Sequence, residues 1–386
     1  MDIAACRRAH EGVGEAEVTS RPVRIAAVWC VYAVLVGSSA GCAAKGSVPD
    51  VFWPDPPDKP RIKLVRSLQS RDDVSSPSLR ELLVGRDKLR TLFQPMGLAL
   101  SADGQRLYVA DRGWNCVFVF DFQVGEQRTI GEQERFPLGW PIGVALDAQE
   151  NVYVSDTSTR TVRVYDKSGE FLRGIGKDLL VRPTGVAIDP ARQRLYVVDT
   201  GQSDTPEAHR IRVFDLQGNV LQDIGRRGDG DGEFNFPTSV SLDAQGRLYV
   251  VDSANNRIEI FDPEGKFLWK FGRAGDQIGD FARSKAVAID RFGNIYVVDS
   301  RWSNVQIFNQ QGQLLMIFAG VGTYPGLLMS PAAIAIDGND TIYVSDSFGR
   351  RVNVYKLVDT TAVDSSTAPA SQALPPVATA GGEKGG

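Results

Sequence analysis

Six short stretches of this chain repeat one pattern: an aliphatic residue, Tyr, Val, a small or aliphatic residue, then Asp. They are Leu107–Asp111, Val152–Asp156, Leu195–Asp199, Leu248–Asp252, Ile295–Asp299 and Ile342–Asp346. The closing Asp residues stand 45, 43, 53, 47 and 47 residues apart. A period in the forties built on strand-like segments is the signature of a radial array of small sheets, a β-propeller. Length alone, 386 residues, favours two or three domains. The repeats overrule that expectation, because a propeller of this size is one domain.

Each repeat carries further strand signals around the Tyr segment. One precedes it, as in Pro141-Ile142-Gly143-Val144-Ala145-Leu146, with relatives starting at Pro95, Pro183, Pro237, Ser284 and Pro331. A third strand follows, marked by Phe120, Tyr165, Phe214, Phe261, Phe308 and Tyr355. A fourth follows a Gly turn, as in Gly265 to Gly272. The sixth repeat has no fourth strand: beyond Leu357 the composition turns to Thr, Ala, Ser, Pro and Gly, which cannot bury enough surface to order itself. Arg61 to Leu68 alternates polar and apolar residues ahead of the first repeat. It is the natural missing strand. Paired beside Val352 to Leu357 it closes the ring and removes an open sheet edge.

The strands Pro-x-Gly-Val-Ala, Tyr-Val-x-Asp-Ser/Thr and Gly-x-Phe-Leu, with Asn255-Asn256-Arg257-Ile258 in the best copy, resemble NHL repeats. The resemblance runs from about Phe93 to Leu357, and it implies an all-β, six-bladed, NHL-like propeller closed by an N-terminal strand. It extends to the six-bladed propeller lipoproteins of bacteria. It implies no single activity, since one fold hosts many functions.

The N-terminus reads as an address. Arg21 and Arg24 precede Ile25 to Gly37, 13 residues without charge, and Ser39-Ala40-Gly41-Cys42 follows. That order has the length of a signal-peptide core rather than a membrane span. It resembles a lipobox, which implies that Cys42 is lipidated and anchors the chain in a bacterial envelope, at the outer membrane given Ala43. The expected domains are a lipoprotein signal at 1–41, a lipidated Cys with a Pro-rich spacer at 42–60, the propeller at 61–358 and a disordered tail at 359–386. The spacer reading rests on Pro54, Pro56, Pro57 and Pro60, since Pro-rich segments are extended and semi-rigid.

Chemistry is sparse. The chain has 43 basic and 47 acidic residues, a net charge of −4, so no basic face for nucleic acid is apparent. The repeated Asp residues invite a metal reading, but an Asp in every blade is what a turn-closing role predicts. Gly228 to Glu233 lacks the spacing of a calcium loop. Only His10 and His209 occur, and His209, on a loop lengthened by six residues in the third repeat, reads as solvated. Lactonase-like propellers hold a metal at the inner ends of the first strands. Here those positions are Met96, Ile142, Thr184, Thr238, Lys285 and Ala332. No catalytic group, metal or cofactor is expected.

What remains is a recognition face. After the repeat Asp the loops present Trp114, Trp302 and Phe348 where other repeats have small or polar residues, and Trp140 precedes Pro141. Arg301, Arg257 of the NHL motif and Lys285 complete the candidate set. Trp and Arg are the residues enriched where partners bind. The sequence therefore predicts a membrane-anchored binding or scaffold module for an envelope protein or small ligand. The alternative is a propeller lyase or lactonase.

Overall fold

The computed structural model describes residues 50–75, 90–132 and 135–358. The signal segment at 1–41, Cys42 and the tail at 359–386 lie outside the described residues. Every described residue belongs to one compact unit.

Among the described residues the strands form six antiparallel sheets. Each sheet is a blade whose innermost strand lies beside that of the next, and the sixth inner strand, Pro331–Ile336, returns to the first, Pro95–Leu100. The core lies between blades rather than within one. Leu107 and Val109 pack toward blade six, whereas Tyr108 and Ala110, the alternate residues of the same strand, pack toward blade two. A strand covered on both faces needs apolar residues at every position, and this is why the aliphatic-Tyr-Val run is continuous. At the inner strands the blades come close: a Cβ on Gly97 would stand 2.5 Å from the carbonyl oxygen of Ile142. The Gly of the Pro-x-Gly motif is there for that approach.

The ring closes as the alternation of Arg61 to Leu68 suggests. Ile62–Leu68 is antiparallel to Arg351–Leu357, with Ile62 opposite Leu357 and Leu68 opposite Val352. Blade six is thus built from both ends of the propeller.

The Pro-rich segment corrects the spacer reading. Its described part, from Asp50 on, folds back on the closing strand, so that Phe52–Trp53 becomes a fifth strand of blade six, opposite Lys63 and Ile62. Trp53 is buried against Tyr355 at 5.6 Å and Phe318 at 6.2 Å between ring centroids. Gly326, at φ +83°, leaves room for it; a Cβ there would stand 2.7 Å from the indole. The prolines suggest a linker, but the apolar Val51, Phe52 and Trp53 decide where the segment goes.

Candidate functional site

The repeat Asp residues organise one end of the propeller. Each is fully buried. Asp111 accepts hydrogen bonds from the backbone N–H groups of Phe93 and Gln94, which enter the inner strand, and of Gly113 and Trp114, in the turn after Asp111 itself. Asp156 does the same for Gly139, Trp140, Ser158 and Thr159, and Asp299 for Ala282, Arg283, Arg301 and Trp302. Ion pairs add to this at Arg163–Asp156, Arg210–Asp199, Arg257–Asp252 and Arg351–Asp346. These carboxylates hold two loops per blade together, which is the turn-closing role that their repetition implies.

Three of the Ser and Thr residues beside the Asp do something the motif does not announce, crossing to the next blade, whereas Thr157 and Ser300 donate within their own blade. Thr200 Oγ1 donates to the Pro237 carbonyl at 2.7 Å, Ser253 Oγ to that of Ser284 at 3.0 Å and Ser347 Oγ to that of Pro95 at 2.5 Å.

Where the loops meet at this end, a cavity of about 730 Å³ opens over the channel. Its floor contains Met96, Ile142, Thr184, Thr238, Lys285 and Ala332, the inner-strand residues picked out by sequence. Its wall carries Trp140 and Phe348, which are 52% and 69% exposed. It also gathers Arg112, Arg160, Arg182 and Arg283. Among the described residues no carboxylate and no imidazole lines it. Burial and the nearby Arg283 and Arg182 push the Lys285 ammonium below the usual lysine range, while Asp299 opposes the shift.

The sequence candidates thus separate. Trp140, Lys285 and Phe348 line the cavity. Trp114 lies outside the lining, its indole N–H donating to the Thr91 carbonyl at 2.8 Å and its ring against Phe93 and Arg90. Arg301 and Trp302 are exposed but lie outside the cavity lining. Arg257 is not available to a partner: it is buried, paired with Asp252 and Glu259, and donates to the carbonyls of Asp229, Gly230 and Glu233. Its place in the NHL motif is structural.

His209 is also corrected. It is buried rather than solvated, and packs on Phe236 with ring centroids 4.6 Å apart. Its Nδ1 accepts the Phe236 N–H at 3.2 Å, so its Nε2 carries the proton and faces the Gln202 carbonyl at 3.3 Å. In blade four, Asp252 accepts the Asn235 N–H, and the imidazole takes the adjacent one. The lengthened loop of blade three delivers that imidazole.

Sequence reasoning passed over Arg160, Arg182 and Arg283. The missed signal is the residue just before each inner strand: Gln94, Trp140, Arg182, Phe236, Arg283 and Ser330. Five of these six line the cavity, the exception being Phe236.

The fold and its repeats agree with the comparisons. The family model for the NHL repeat matches residues 234–261. This chain is a six-bladed β-propeller that carries an NHL repeat. A second family model, "SMP-30/Gluconolactonase/LRE-like region", matches residues 86–198 of the NHL propeller. NHL repeat-containing protein 3 of Mus musculus is 27% identical over 165 residues, 39% of this chain and 46% of the relative. Protein brain tumor of Drosophila melanogaster is 28% identical over 138 residues, 34% of this chain and 12% of the relative. The NHL propeller therefore aligns with less than half the length of these curated relatives. Among solved structures, a protein of unknown function from Bacteroides thetaiotaomicron superposes with TM-score 0.55 at 18% identity, covering 77% of this chain and 75% of the other. Virginiamycin B lyase from Staphylococcus aureus gives 0.51 at 13% identity, covering 77% and 100%. At these identities the likeness is one of fold.

Proposed function

We propose that this NHL propeller is a binding module of the bacterial envelope, anchored by lipid at Cys42, that takes its ligand into the cavity at the Asp end of the channel. One observation carries the reading: a cavity of about 730 Å³, the size of a small-molecule site, walled by two exposed aromatic rings and lined by cations and hydroxyls. Among the described residues its lining holds no carboxylate or imidazole to serve as a general acid or base, which favours recognition over hydrolysis or elimination.

The test is a thermal-shift screen of envelope metabolites on wild type and on Trp140→Ala/Phe348→Ala. Compounds that stabilise the wild type by several degrees and leave the double variant unmoved support the reading. Stabilisation of both proteins alike contradicts it.

A further inference from the structure

The cavity's lining is one-sided in charge. Arg112, Arg160, Arg182, Arg283 and Lys285 reach it from four blades, in a chain whose net charge is −4. Arg112 and Arg160 come from the turns after Asp111 and Asp156. Arg182 and Arg283 precede the inner strands Pro183–Asp189 and Ser284–Ile289, and Lys285 lies within the latter. None of the five forms an ion pair among the described residues, although arginines elsewhere in the propeller commonly do. The repeat Asp residues of these loops are buried and already accept backbone N–H groups.

Most hydroxyls of the same lining are already engaged. Thr238 donates to the Lys285 carbonyl at 3.1 Å, Ser300 to that of Arg283 at 3.2 Å, and Ser347 to that of Pro95. The donors left facing the cavity are mainly cationic, three N–H groups on a lysine and five on each arginine, with the Ser158 and Ser330 hydroxyls and the Gln94 and Gln202 amides beside them. Guanidinium forks match the paired oxygens of phosphate and carboxylate.

We propose that the ligand of this mouth is a small polyanion carrying phosphate or carboxylate groups, held by Lys285 at the floor and by Arg182 and Arg283 beside it. The assignment rests on the binding-module reading and adds the charge class of the ligand. An anion placed there pairs cations that otherwise face one another, and it restores the Lys285 ammonium that burial and Arg283 disfavour.

Isothermal titration calorimetry of the full chain with inorganic pyrophosphate and with citrate, at 50 and 300 mM NaCl, tests the assignment. At least one anion is expected to bind wild type, and its affinity falls at the higher salt. Lys285→Met and Arg182→Gln/Arg283→Gln each weaken that binding tenfold or more. Lys266→Gln, an exposed cation on a turn outside the cavity, leaves it unchanged. Melting curves taken alongside confirm that each variant is folded. Two outcomes overturn the assignment: no binding of either anion to wild type, or equal affinity in folded mouth variants. If both anions fail while neutral compounds still stabilise wild type through Trp140 and Phe348, the charge class falls and the binding module stands. If anions bind and the mouth variants are indifferent, the mouth itself is the wrong site.

Discussion

Ser345 Oγ donates to the carbonyl oxygen of Met96 at 2.6 Å, across 249 positions of sequence. Ser345 Oγ in turn accepts the Ala333 N–H at 2.9 Å, so one buried hydroxyl ties blade six to itself and to blade one. Arg350 over the Phe93 ring, 4.5 Å from its centroid, spans the same seam at the surface. Ser345→Ala leaves a donor and an acceptor without partners. The expected loss is about 1–3 kcal/mol, read as a lowered urea midpoint. An unchanged midpoint would show that the seam does not depend on this bond.

Trp53 gives a test of the fifth strand. A true spacer tolerates Trp53→Ala, whereas here the indole fills the space between Tyr355, Phe318 and Gly326. Removal of a buried Trp costs about 3 kcal/mol or more. Truncation up to Arg66 removes the closing strand as well and is expected to lower the melting temperature further. Truncation from Thr361 onward is expected to change it little. Equal melting of Trp53→Ala and wild type would return the segment to the role of linker.

His209 should make stability depend on pH. Burial holds its imidazole below its ordinary value of 6.5, and the neutral Nδ1 accepts the Phe236 N–H. The folded protein therefore binds fewer protons at this site than the unfolded chain. Its contribution is complete above pH 6.5 and is lost progressively as pH falls below that value toward the depressed one. Urea midpoints of wild type and His209→Gln, compared from pH 8 to pH 5, are expected to converge on acidification. A gap that stays constant with pH would mean that the ring titrates alike in the folded and unfolded chain.

Lipid attachment is checked independently of the fold. Cells fed a clickable fatty acid are expected to label the wild-type protein and not Cys42→Ser. Labelling of both, or of neither, contradicts the anchor.

Repetition determines what was legible in the sequence. The Tyr strands, their Asp and the Pro-x-Gly inner strands recur because each blade must solve one packing problem, and a repeated solution can be seen without coordinates. Closure by Ile62–Leu68 is legible for the complementary reason: one repeat lacks a strand and one strand lacks a repeat. Trp53 escapes because its neighbours in sequence are prolines, while its partners, Phe318 and Tyr355, lie more than 250 residues away. The cationic mouth escapes because its residues are spread over several motif positions in four blades, and a net charge of −4 conceals a local surplus. Arg257 misleads for the opposite reason, since an Arg in a recurring motif invites a functional role while its guanidinium is consumed by carbonyls of its own blade.

The recognition face is tested most directly by photo-crosslinking in intact cells. The photoreactive benzoylphenylalanine is placed at Phe348, in the cavity wall, or at Val124, an equally accessible position outside the cavity lining at 64% exposure. Intact-mass spectrometry of the purified protein then reads the adducts. The account predicts a discrete adduct from position 348 and none from position 124. No adduct at 348, or the same adducts from both positions, would contradict it.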